Sequence, residues 1–142
     1  MKPWLIAVIA VSLFASAAVA SHTQNIAELT ALADKVVSSI QGQKADWKYE
    51  SVQPITGSND VILQQWTLDN QSIRIAITSH RSAQDAVAAM SQLAREGPAT
   101  ERTQGLGDEG ITWGRGVVSF RKRNFTIDVS ATNTKPHSID PN

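Results

Sequence analysis

The chain has 142 residues, with 13 Lys+Arg against 13 Asp+Glu and no cysteine. The missing cysteines exclude disulfides, iron–sulfur clusters, thiolate nucleophiles and cysteine-bound zinc. Balanced charge gives no support to nucleic-acid binding or to long-range attraction toward an anionic membrane.

Residues 1–20 read as a cleaved export signal. Lys2 supplies the positive start, Trp4 to Phe14 the apolar run, and Ala18-Val19-Ala20 a small-x-small cleavage site with Ser21 as the first mature residue. An uncleaved anchor is the competing reading, but the apolar run is short for a hydrocarbon core of about 30 Å. The absence of an Arg-Arg pair favours the general secretory route. The expected product is a periplasmic or extracellular protein with no stable membrane anchor. Removing the leader takes away one lysine and leaves 12 basic and 13 acidic residues, a net charge of −1. We expect one α+β domain over residues 21–131 and a flexible C-terminal tail over 132–142, which contains two prolines and no hydrophobic period.

The first mature element is expected to be a helix. Asn25 is placed to cap it with Glu28 three residues on, Ile26, Leu29, Ala33, Val36, Val37 and Ile40 make one apolar stripe, and Gly42 ends it. Asp46 to Pro54 reads as a strand with Trp47 and Tyr49 on one face. A turn at Gly57-Ser-Asn-Asp60 leads into a hairpin, Val61–Leu68 with Ser72–Ser79. A two-residue loop puts Trp66 and Leu68 on the same face as Ile73, Ile75 and Ile77, with Gln64 as a polar exception expected at the edge. Ser82 is a good N-cap with Asp85 at the third position, the stripe runs Ala86, Ala89, Met90, Leu93 and Ala94, and Gly97-Pro98 is a stop. Glu101 to Gln104 reads as a polar connection.

From Gly105 the chain is a glycine-framed turn followed by three short strands. A two-residue turn at Arg115-Gly116 sets Trp113 against Val118 and Ile111 against Phe120. The next turn, Lys122-Arg123 or Arg123-Asn124, keeps the parity either way. Every apolar residue then shares one face, and Thr112, Ser119, Arg121, Thr126 and Asp128 point to a solvated one. The whole gives helix, three strands, helix, three strands: an antiparallel sheet of about six strands with two helices on one face. The two-layer sandwich of the photosystem extrinsic PsbP-like proteins is one topology that fits, by analogy.

The run Gly105-Leu-Gly-Asp-Glu, then Trp113-Gly114, then an apolar strand ending in Phe120-Arg121 and a basic turn with Asn124, resembles a module of small exported bacterial proteins of unknown function. Their position after the Glu is often Ala, where this chain has Gly110. The resemblance implies export and class, and carries no residue role.

Candidate chemistry is sparse. His80 is the one histidine expected in structured chain, since His22 is near the mature terminus and His137 in the tail. His80 reads as an exposed loop histidine, and the alternative is that, with Arg81 beside it, it marks a small anion site ahead of the second helix. No spaced ligand set for a metal is present, and no cofactor is expected. The Gly105–Gly110 loop lacks the Lys and Ser/Thr of a phosphate loop, and Asp108-Glu109 alone offers too few oxygens for calcium. Arg121-Lys122-Arg123 is the densest positive charge, read as a solvated turn or as the contact for an acidic partner. Composition and motifs thus point to a non-catalytic binding or accessory protein with a protein or small-molecule partner. The alternative is a small hydrolase-like enzyme with a site near His80 or Asp108/Glu109.

Overall fold

The structure is a computed structural model, and it describes residues 22–53, 60–97, 101–114 and 116–133. Residues 1–21, with the expected cleavage site at Ala18, Ala20 and Ser21, and residues 54–59, 98–100, 115 and 134–142, the last with His137, lie outside the described residues.

The elements are α1 (His22–Gln43), β1 (Lys48–Val52), β2 (Val61–Leu68), β3 (Gln71–Ser79), α2 (Ala83–Glu96), β4 (Glu101–Thr103), β5 (Glu109–Gly114), β6 (Val117–Lys122) and β7 (Phe125–Asn133). All strand pairs are antiparallel, and they form one seven-stranded sheet in the order β1-β2-β3-β7-β6-β5-β4. The fold is α+β. The extra strand is β4, three residues of the stretch expected as a connection, paired with β5 through Glu101↔Thr112 and Thr103↔Gly110. Its Glu101 and Arg102 are exposed on the sheet edge, where charge discourages pairing with another chain. The last strand also runs to Asn133, past the expected domain end at Ala131.

The β2–β3 hairpin has the expected register, with Trp66 opposite Ile73 and Asp69-Asn70 as the loop. The turn between β6 and β7 is Arg123-Asn124, with Lys122 opposite Phe125 and Arg123 at φ 55°. One face of β2, β3, β7 and β6 carries Trp66, Ile73, Ile75, Ile77, Ile127, Val129, Val118 and Phe120, and α1 packs there through Leu29, Leu32, Ala33, Val36 and Ile40. Asn25 lies inside α1 and is buried, and Gly42 falls within the helix, so neither bounds it. Gln64 is not at an edge. It is 1 % exposed beneath α1, and its Nε2 donates to the Ala33 carbonyl at 2.9 Å.

The expected parity fails at one point, a β-bulge between Thr112 and Gly114. Gly114 pairs with Val117 as a two-residue turn requires, but Thr112 then pairs with Val118 and Ile111 with Ser119. One inserted residue moves the rest of the strand to the other face. Ile111 and Trp113 therefore leave the α1 side. Trp113 donates from Nε1 to Ser119 Oγ and lies against Gly97 at the end of α2. Ala86 and Met90 of α2 are fully buried, yet are not part of the cluster under α1. The helices accordingly cover opposite faces, α1 over β2–β3 and α2 over β6–β7, in three layers instead of two. The β6–β7 face expected to be wet is the one α2 covers: Ser119 and Thr126 are buried.

Candidate functional site

Three places gather the chemistry-bearing side chains. The first is the polar layer under α2. Ser119 and Asp128 face each other across β6 and β7, and Ser119 Oγ donates a short hydrogen bond to Asp128 Oδ1 while accepting from the Trp113 indole. His80, just before α2, sits half-buried with Nε2 2.9 Å from Thr126 Oγ1. Its backbone is held too: His80 N donates to the Asn124 carbonyl at 2.8 Å, and Asn124 Nδ2 donates to the His80 carbonyl at 3.2 Å. This histidine is a strut between β7 and the start of α2. Arg81 is exposed beside it, and Ser82 Oγ caps α2 by accepting from Asp85 N.

This layer contains Ser, His and Asp, but its hydrogen bonds do not make a nucleophile. An activated serine gives its proton to a histidine that a carboxylate orients. Here the Ser119 hydroxyl goes directly to Asp128, and the ring nitrogen of His80 goes to Thr126.

Burial sets the electrostatics. It pushes the His80 pKa below its ordinary value of 6.5, against the pull of Asp85, Asp128 and Asp60. Burial also raises the Asp128 carboxyl above its ordinary value, against the Ser119 hydrogen bond and the His80 charge. A histidine whose folded pKa is depressed binds its proton more tightly when unfolded. Its stabilising contribution is therefore full above the unfolded value and is lost as pH falls through the folded one. Asp128 has the opposite sign, contributing below its unfolded value and losing that as pH rises. In urea unfolding, wild type is expected to lose stability relative to His80→Gln as pH drops below 6.5. A difference that stays constant from pH 7.5 to 5 would contradict the burial of His80.

The second place joins two candidates treated separately in the sequence. Asp108 and Glu109 meet the Arg121-Lys122-Arg123 turn. Arg123 N donates to Asp108 Oδ2 at 2.8 Å, Lys122 Nζ lies 3.0 Å from Asp108 Oδ1, and Arg121 reaches Asp108 at 3.4 Å and Glu109 at 3.6 Å. Asp108 N also donates to the Arg121 carbonyl at 2.8 Å. Burial opposes ionisation of Asp108, but the Arg123 amide, Lys122 and Arg121 together outweigh it and hold its carboxyl below the ordinary carboxylate value. The arrangement is a clamp that fixes the glycine loop on the hairpin tip and neutralises most of the basic turn's field. It also seats Leu106 in the core beside Gly110, the residue paired with Phe120.

The third place was read in the sequence only as core. At the C-terminal end of α1, Ser39, Ile40, Gln43 and Lys44 face Trp47, Trp66 and Ile73 across a cleft of about 350 Å³, counted out to its open mouth. Its enclosed end has room for about one water molecule. Trp47 is held in the α1–β1 loop by its N–H to the Lys44 carbonyl at 3.1 Å. Trp66 has no exposure, and Tyr49 from β1 packs against it with the ring centres 4.9 Å apart and the planes tilted by 38°. The Trp66 indole N–H is buried with no hydrogen-bond partner. Periodicity places a tryptophan on a face but does not show where a helix stops short of covering it, so no sequence signal marks this cleft.

Among the described residues no group of three His, Asp or Glu is placed to hold a metal, and no helix is long and apolar enough to cross a membrane. No protein-family model, curated protein or solved structure matches the chain.

Proposed function

We propose that the chain is an exported, non-catalytic binding protein of the periplasm or cell exterior, which takes a small ligand in the cleft at the end of α1. The observation that carries this is the cleft itself, with Ile40, Trp47, Trp66 and Ile73 as apolar walls and Ser39, Gln43 and Lys44 as the polar ones. Small-molecule sites are mostly apolar concavities with a few placed polar groups. The hydrolase-like alternative has less to support it, because Ser119, Asp128, His80 and Asp108 are all engaged in bonds that hold the fold.

The test is the melting temperature of the exported protein against a panel of small apolar and aromatic compounds. A ligand at a hundred times its Kd adds about 2.7 kcal/mol, a shift of several degrees for a domain of this size. No shift across the panel would remove the binding reading. Export rests on the Ala18-Val19-Ala20 site. Intact mass is expected to show a chain starting at Ser21, and membrane-bound protein retaining Met1 would oppose it.

A further inference from the structure

We infer that β1 is a dimerisation edge, where a second copy of this chain pairs its own β1 antiparallel across a two-fold axis at Tyr49. The inference goes beyond the cleft and does not depend on it. β1 is the outermost strand on its side of the sheet, and Lys48, Tyr49, Glu50 and Ser51 are all exposed. Every second residue of an outermost strand turns its N–H and C=O away from the sheet, a template for another strand. Tyr49 is also one of two large apolar side chains left exposed among the described residues, the other being Val87 on α2.

Self-pairing restricts the register. Two residues set opposite each other must both turn their backbone groups toward the seam, or both away from it. In a pair of identical strands their numbers therefore sum to an even value, and the two-fold passes through a residue. Through Lys48 or Glu50, it sets that charge against its own copy, which is unfavourable. Through Ser51 or Val52, it brings no opposite charges together. Through Tyr49, it sets Lys48 opposite the partner's Glu50 and Glu50 opposite the partner's Lys48. Lys48 and Glu50 make no ion pair within the chain among the described residues, so both remain for the partner. Opposite residues share a face, so the Tyr49 rings meet there, each already packed against its own Trp66. The other edge, β4, is three residues long, and a two-fold through Glu101 or Arg102 stacks like charges.

The experiment is sedimentation equilibrium of the exported protein from about 10 µM to about 1 mM, a range suited to a contact smaller than the roughly 1,200 Å² of a standard interface. Wild type is expected to pass from monomer to dimer across it. Glu50→Lys and Lys48→Glu each turn both attractions into repulsions, and each is expected to weaken the dimer about tenfold or more. Both positions are exposed, so neither change should disturb the fold. Combining Lys48→Glu with Glu50→Lys restores opposite charges in this register alone and should recover wild-type association. An equimolar mixture of the two single variants should form heterodimers. Wild type that stays monomeric throughout would overturn the inference. A dimer that Glu50→Lys leaves intact, or that the double exchange fails to recover, would overturn it by placing association on another surface.

Discussion

Gly107→Ala is expected to destabilise the fold by about 3 kcal/mol, although the residue is exposed and in a loop. Gly107 sits at φ +59°, where a Cβ costs about 1–2 kcal/mol on backbone grounds alone. The added carbon would also fall on the Arg121 carbonyl oxygen, with the Phe120 ring behind it. That oxygen accepts from Asp108 N, so relief of the clash requires opening the clamp between the glycine loop and the basic turn. Forced overpacking of this kind adds roughly 1–3 kcal/mol. Gly105, at φ +82° with nothing near its missing Cβ, is the internal control and should lose only about 1 kcal/mol on the same change. Urea midpoints of the two variants check the pair. Equal losses would mean that the loop is not clamped onto β6.

Trp66→Ala is expected to cost about 3–5 kcal/mol, a large share of the 5–15 kcal/mol that holds a typical domain together. The side chain has no exposure and belongs to the core cluster under α1. Its buried N–H makes no bond, so no hydrogen bond is lost with it, and relief of that donor offsets part of the packing loss. Tyr49→Ala, which removes only the ring tilted against Trp66, should cost about 1 kcal/mol. Chemical denaturation of both distinguishes these values, and a Trp66→Ala loss as small as that of Tyr49→Ala would contradict its place in the core.

Much of the sheet was legible because hairpin parity is a strong constraint. The register of β2 with β3 follows from a two-residue loop and the row Ile73, Ile75, Ile77, each of which must be inside. The start of α2 followed from Ser82 and Asp85, whose capping bond is present. The errors in face assignment share one cause. A single bulge at Trp113 leaves the apolar pattern intact residue by residue while sending Ile111 and Trp113 to the other layer. The signal was Trp-Gly-Arg-Gly: a two-residue turn needs one glycine, and the second, Gly114 at φ +71°, permits the bulge. With Trp113 and Ile111 misplaced, nothing apolar seemed available on the far side for α2 to cover. Strand β4 has no hydrophobic period of its own and exists through pairing with β5.

The candidate site was less legible, because it depends on contacts between distant segments. The joining of Asp108 and Glu109 to Arg121, Lys122 and Arg123 required the hairpin tip to fold back on the glycine loop. The hydrogen-bond chain from Trp113 through Ser119 to Asp128 needed the bulge. The cleft needed the end of α1 to meet Trp47 and Trp66.

The central claim is that function resides in the tryptophan-walled cleft and that the polar layer under α2 is structural. It is tested by the melting-temperature shift that the tightest-binding compound of the apolar and aromatic panel produces in wild type, in Gln43→Phe and in His80→Gln. Gln43 is exposed at the cleft mouth, so a phenylalanine there blocks entry at little cost to the fold. The account predicts that the shift disappears in Gln43→Phe and persists in His80→Gln. A shift that survives the blocked mouth but vanishes with His80 would place the site under α2 and contradict it.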